Sequence, residues 1–435
     1  MSFPRSPKRV PRKGRLSDRG RGQVILFPPG EAAESSAEAS PAPLSRMLPG
    51  VIAGAADLDP AAVLTATVAG ATFGLSVAWV VLLCIPILRA VFGVAARIGH
   101  ETRLGLVKLV REHFGKNYAI ALACMVVAVN VIMIVADVMA VSEGLSIVLL
   151  QPARFFPALV AFAVWYILTL VGYKRVNQTL ALVALFLFAY VAAAALGGDT
   201  AHSLTTGILF PHIPARAGGS SYLLAIIAVF GSLLTPDVVV WQTSTKREGA
   251  GFYEAESRLG CVIAAFVSLS VIVAASHITV ADPAAMTFRE AAAALAPLGE
   301  LGPVLFALGI IGSGLVALPI LVASLCFSIS EAGDWESRLS APPWEARRFF
   351  ILICVVLVFA VGVDYIGINT VQVLYWSQVL AGTIVVPILF FILWISNDRR
   401  IMRRTNTRAE NFWLGGAVGG MLVANIVFLV ARVFW

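Results

Sequence analysis

From Leu48 to the C-terminus, apolar stretches near or above ~20 residues follow one another with only short polar interruptions. Eleven such spans are predicted, centred near residues 59, 86, 132, 163, 187, 234, 270, 315, 357, 382 and 423. A run of that length crosses the hydrocarbon core only as a helix, because every backbone N–H and C=O must find its partner within the span. The alternating segments of about ten residues that a membrane barrel needs do not occur. The pattern predicts an all-α polytopic membrane protein with eleven transmembrane helices.

Composition agrees with lipid as the solvent, since 59% of the 435 residues are apolar and 13% charged, against roughly half and a quarter in soluble chains. Residues 1–45 carry Arg5, Lys8, Arg9, Arg12, Lys13, Arg15, Arg19 and Arg21 and then a Pro/Ala/Ser/Glu-rich stretch, which predicts a disordered, basic cytoplasmic tail. No short apolar segment follows the basic region directly, as a signal peptide would require. With the N-terminus inside, only Arg154, Arg216, Arg289 and Arg432 of the 32 Lys and Arg residues fall at the outer face. That asymmetry predicts a multi-pass protein of the cytoplasmic membrane. Cys84, Cys124, Cys261, Cys326 and Cys354 each lie in an apolar run without CxxC spacing and read as small core residues. No Walker-type loop and no HExxH segment is present, so neither nucleotide hydrolysis nor enzymatic catalysis is encoded, and nothing points to a cofactor or to nucleic acid. Uphill movement of a solute would draw on protons, another ion gradient or the membrane potential.

Two spans are interrupted. The first reads LPGVIAGAADLDPAAVLTATVAGATFG, with Asp57 and Asp59 at its centre and Pro60 next. The sixth reads SYLLAIIAVFGSLLTPDVVVWQTSTKRE, with Gly231, Thr235, Pro236 and Asp237 at its centre. Proline removes an N–H donor and pushes the residue before it out of the α region, so both helices are expected to open there, with Gly231 contributing to the second break. The breaks are five spans apart, an odd number, so a second five-helix unit would enter from the opposite side of the membrane. Interrupted spans in matching positions of two inverted halves mark a transporter's binding site. Freed carbonyls and carboxylates meeting near the midplane suit a hard or borderline cation. Proline and glycine also produce simple kinks in membrane helices, but an intramembrane aspartate costs at least ~2.5 kcal/mol and is rarely kept without a partner or a task.

Other polar residues lie within the spans. Asn130 and Asp137 are seven apart and share one helical face. Asp137 reads as a proton relay or cation vestibule group, or else as a structural hydrogen-bonding partner of Asn130 or a neighbouring helix. Gln372 and Gln378 are six apart and cannot both face one site; Gln378, beside Ser377, is the better placed. Gly309, Gly312, Ser313 and Gly314 form a close-packing surface.

The segments AADLDPAAV, FGSLLTPDVVVWQTS, ALGIIGSGLVALPILVAS and YWSQVL, in that order and spacing over most of residues 48–396, resemble the natural resistance-associated macrophage protein (Nramp) family of divalent metal transporters. The similarity is nearer to its divergent bacterial branch, which includes Nramp-related magnesium transporters. The resemblance implies a LeuT-like fold: spans 1–5 and 6–10 as inverted repeats within a core of residues 46–396, followed by a basic loop and an eleventh helix in 397–435. It implies that Asp59 ligates the metal directly or through water. The family's motif asparagine falls on Ala62, its methionine-proline-histidine on Thr235, Pro236 and Asp237, its carbonyl ligand on Ser232 and its span-ten glutamine on Gln378. Replacing the methionine by Thr235 leaves hard oxygen donors, and a partly hydrated magnesium or manganese ion then suits the site. Loss of the histidine puts proton coupling in question.

The expected function is therefore alternating-access transport of a divalent cation, with the metal as substrate and not as cofactor. Its ligands would be Asp59, Asp57, Asp237, Thr235, Ser232 and Gln378, with Asp137 and Asn130 on a proton or ion pathway. The alternative is a symporter of the same fold for an amino acid or other small organic solute. The charge asymmetry makes a topological prediction: in a bacterial host, green fluorescent protein fused to the N-terminus fluoresces and alkaline phosphatase fused there stays inactive, whereas the reverse pattern contradicts the orientation.

Overall fold

The computed structural model describes residues 58–171, 185–198, 205–208, 219–246, 254–278, 285–335 and 346–434. The basic tail and Asp57 lie outside them. Among the described residues there is no strand, and seven helical stretches are long and apolar enough to cross a membrane. One of these, Pro60–Thr102, contains two helices. Helix α1 (Pro60–Phe73) ends at Gly74, whose φ of +61 suits glycine and turns the chain through a 3-10 corner into α2 (Ala78–Thr102). An amphipathic helix, α3 (Leu106–Phe114), buries Leu106, Val107, Leu109 and Val110 and leads into the 34-residue α4 (Lys116–Leu149), about 50 Å long. Next come α5 (Pro157–Tyr166) and the short α6 (Ala189–Leu196).

The chain continues with α7 (Gly219–Leu233), α8 (Pro236–Lys246) and α9 (Glu254–Ala275), then α10 (Gly302–Gly333), α11 (Arg347–Asp364), α12 (Thr370–Asn397) and α13 (Arg408–Phe434). Helices α4 and α10 share the most extensive interface. Small residues let them approach: a Cβ on Gly144 would lie 3.0 Å from Ile311 and 3.2 Å from the carbonyl of Ala307. Asn130 on α4 donates to the carbonyl of Leu321 on α10 at 3.3 Å. The glycine-rich face of α10 packs as expected, with Gly309 against Leu187 and Gly314 against Val141 and Pro60.

Two expectations need correction. Gly231 is helical and sits inside α7, two residues before its end, so it is not part of the break. Its missing side chain serves a crossing instead, because a Cβ there would collide with the carbonyl of Gln378 and the backbone of Gly382 on α12. Cys84, Cys261 and Cys326 are buried, but Cys124 and Cys354 face outward. In a bilayer an apolar run is lipid-facing on one side and core-facing on the other, so hydropathy alone does not separate the two.

One end of the bundle is tied by a buried acid. Glu331, 2% exposed near the end of α10, accepts from the Ser244 hydroxyl at 3.1 Å and from the N–H of Lys108 in the first turn of α3 at 3.3 Å. It caps the N-terminus of α3 from another helix, where a carboxylate complements the helix dipole. Thr243 on α8 accepts from the Leu106 N–H at 3.3 Å, and Gly99 on α2 packs against the Thr243 backbone. The α7–α12 crossing predicts that Gly231→Val, which forces a side chain against backbone, lowers stability by at least the ~1–3 kcal/mol of an overpacked core. Thermal unfolding of the purified protein in detergent measures it, and an unchanged midpoint contradicts the crossing.

Candidate metal site

Asp59 precedes the first helix in extended conformation (φ −72, ψ 166) and is its N-cap, with Oδ1 accepting the N–H of Ala62 at 2.5 Å. Pro60 follows at the first helical position, where an N–H would have no intrahelical partner in any case. The device recurs at the second break. Helix α7 stops at Leu233, Leu234 and Thr235 are non-helical, and α8 starts on Pro236 with Asp237 in its first turn. Because Pro236 has no N–H, the carbonyl of Ser232 four residues earlier loses its intrahelical donor. The Ser232 hydroxyl is occupied, donating to the Val229 carbonyl at 2.9 Å, so what this residue offers the site is its carbonyl.

Other helices complete the surroundings. Gly314 of α10 rests against Pro60, and the Ser324 hydroxyl of the same helix donates to the Asp237 carbonyl at 3.1 Å, so α10 touches both breaks. The backbone of Gln378 abuts Gly231 at the end of α7. Gln378 is fully buried, and neither its amide nitrogen nor its oxygen has a hydrogen-bond partner, whereas Gln372 is exposed. Asp137, on α4, is fully buried with no donor to either carboxylate oxygen. It interacts electrostatically with both Asp59 and Asp237, and Asp59 interacts with Asp237. The Thr235 hydroxyl and the N–H of Val238 face the Asp237 carboxylate, while its Oδ1 has no donor.

The structure therefore brings Asp59, Asp237 and Asp137 within electrostatic reach, with Ser232 and Thr235 at the α7–α8 break and the backbone of Gln378 against Gly231 one helical turn before it. Asp57 lies outside the described residues. Asn130 donates to Leu321 and not to Asp137, and its Oδ1 has no partner. Among the described residues no three His, Cys, Asp or Glu side chains converge as a metal cage. A guest would thus take at most two carboxylates, with carbonyl, hydroxyl and amide oxygens or water as its other ligands. A cavity of about 20 Å³, room for one water-sized guest, opens between Leu58, Ser232, Leu233 and Thr235 and the side chains of α2 and α9. The carboxylates do not form its wall.

Among the described residues no Lys or Arg is buried, so these acids have no cationic partner in the core. Thr65 is fully buried on α1 with an unpartnered hydroxyl, and a threonine in an apolar helix carries no distinguishing signal in the sequence.

Residues 50–431 match the family described as natural resistance-associated macrophage protein-like. The chain belongs to the Nramp family. It is 26% identical over 422 residues to the divalent metal cation transporter MntH of Klebsiella pneumoniae, covering 91% of this chain and 95% of that protein. It is 24% identical to the MntH of Verminephrobacter eiseniae, with 81% of each covered. Its fold is that of the Eremococcus coleocola manganese transporter, at a TM-score of 0.70, 15% identity and 90% and 88% of the two chains. MhsT, solved with L-phenylalanine, shares the fold at a TM-score of 0.60, 15% identity and 88% and 97% coverage. As an Nramp member the chain is a multi-pass membrane transporter of LeuT-like fold and not an enzyme.

Three acids in one core without a buried cation among the described residues predict mutual repulsion. At mildly alkaline pH and without divalent metal, Asp137→Asn is expected to raise stability by about 1 kcal/mol, the order of the repulsion between separated like charges at an intermediate dielectric. A lower unfolding midpoint would show that Asp137 is held by attractive contacts.

Proposed function

We propose that this Nramp protein carries a hard divalent cation, magnesium or manganese, across the cytoplasmic membrane by alternating access. The observation that carries the reading is the set of three buried aspartates in a core where no described Lys or Arg is buried. Charge held in a medium of low dielectric needs a counter-charge, and a doubly charged guest supplies it. Asp59 is the principal ligand, Asp237 or Asp137 completes the charge, and the Ser232 carbonyl, Thr235 and Gln378 contribute oxygen atoms. The names of the MntH relatives support the cargo class.

The choice of ion follows from donor chemistry. With Thr235, Ala62 and Asp237 at positions where the family has methionine, asparagine and histidine, these positions offer neither thioether nor imidazole, and the one sulfur lining the adjoining cavity is the Cys261 thiol of α9. Oxygen donors favour ions such as magnesium and manganese, and Ala62 in place of a ligating asparagine leaves room for an ion that keeps part of its hydration shell. When the metal leaves, the aspartates need another counter-charge, and protons on Asp59, Asp137 or Asp237 are the available one. The eleven crossings, the five-plus-five inverted repeat and a cytoplasmic N-terminus belong to the same proposal. An amino-acid symporter of this fold would have to seat a carboxylate substrate beside three aspartates, and the repulsion counts against it.

Uptake of manganese and magnesium into proteoliposomes tests the proposal. Asp59→Ala is expected to lower divalent-cation flux at least tenfold, with Gln378→Ala giving a smaller loss. Equal flux in wild type and Asp59→Ala overturns the ligand assignment, and flux of an amino acid without any divalent flux overturns the cargo.

A further inference from the structure

The ten residues between α12 and α13, 398–407, are held by a network of hydrogen bonds. Asp398 accepts the Arg400 N–H on its side chain at 2.8 Å and the Met402 N–H on its carbonyl at 2.9 Å, and Met402 is 2% exposed. Glu101, from α2, accepts the backbone N–H groups of Arg403 at 2.9 Å and Arg404 at 3.4 Å. At the far end Asn397 and Asn411 exchange amide hydrogen bonds at 2.8 and 2.9 Å, and Asn406 donates to Ser396 at 2.8 Å. Arg97 pairs with Glu410 at 2.8 Å and also donates to Asn406.

This network holds the backbone and leaves the loop's own guanidinium groups free. Arg399, Arg400, Arg403, Arg404 and Arg408 are exposed, and among the described residues none forms an ion pair. The nearby carboxylates are engaged elsewhere: Asp398 and Glu101 with backbone N–H groups, Glu410 with Arg97 and the N–H of Thr407. Arg399, Arg403 and Arg404, with Thr405, line an open cavity of about 580 Å³. Guanidinium forks bind phosphate oxygens two at a time, and a fixed frame lowers the ordering cost of doing so.

The surroundings indicate where the phosphate comes from. Phe390 and Trp394 in the last two turns of α12 and Phe412 in the second turn of α13 are 46%, 54% and 69% exposed beside the loop. An exposed tryptophan at the end of a membrane helix marks headgroup level, and Trp394 stands there. We infer that this loop is a binding site for the phosphate headgroup of an anionic membrane lipid, gripped by Arg399, Arg403 and Arg404. Basic pockets at helix ends are where such headgroups bind. The site is separate from the metal pathway and does not depend on the identity of the transported ion.

The full-length protein, purified in neutral detergent, is titrated with phosphatidylglycerol, phosphatidylcholine and inorganic phosphate, with bound lipid counted by native mass spectrometry. Phosphatidylglycerol is expected to bind at least tenfold more tightly than phosphatidylcholine, and the triple variant Arg399→Gln/Arg403→Gln/Arg404→Gln to lose that preference while keeping its lipid-free unfolding temperature. The corresponding triple lysine variant, which keeps charge but not the fork, is expected to fall between the two. If the triple variant does not fold, Arg404→Gln alone must show a measurable loss. Undiminished phosphatidylglycerol binding by the glutamine variants, or competition by inorganic phosphate at equal phosphate concentration, overturns the lipid assignment.

Discussion

A carboxylate in the hydrocarbon layer is tolerated only when something neutralises it, and here three share one core in which no described Lys or Arg is buried. The local architecture follows from that constraint. Two helices begin at the site on a proline, so two positive helix ends lie beside Asp59 and Asp237 and offset part of their charge. Pro236 frees the Ser232 carbonyl, which can then accept from water or ligate a cation. Gln378 is buried without a partner for either amide atom, an arrangement that costs stability unless a guest or water completes it. Each feature alone is a liability, and together they are the oxygen donors that the proposed cation site uses.

The rigid parts of the bundle keep these donors in place. Helix α10 packs along α4 and touches both breaks, through Gly314 at Pro60 and Ser324 at Asp237. Asp137 rides on α4 and therefore keeps its position relative to both. The α7–α12 crossing at Gly231 and Gly382 sets Gln378 beside the end of α7. Glu331 ties α3, α8 and α10 together away from the site, so movement of α8 during transport would strain that junction.

The two helix starts at the candidate site were legible because proline acts locally. Its missing N–H and its steric effect on the preceding residue are properties of the sequence, and they place helix starts at Pro60 and Pro236 without reference to any other part of the chain. What depends on two helices meeting was less legible. Asp137 could be assigned to a buried face but not to the company of Asp59 and Asp237, because no spacing encodes which face of α4 meets α1 and α8. Gly231 looked like part of the break because a glycine beside a Thr-Pro step has the same appearance whether it opens its own helix or admits a neighbour. Cys124 and Cys354 point outward for a related reason: lipid and protein core present the same apolar signal. Glu331 lies in a polar segment at the end of an apolar run, where an acid ordinarily meets water, and only the packing of α3 against it reveals its burial.

The most direct test of the idea that these acids enclose a cation is to locate the cation. Crystals of the protein grown with manganese and measured at a wavelength where the metal scatters anomalously should show one strong peak between the Asp59 carboxylate and the α7–α8 break, near the Ser232 carbonyl. The peak should be absent in crystals of Asp59→Ala grown the same way. A peak away from both breaks, or one that persists without Asp59, would contradict it.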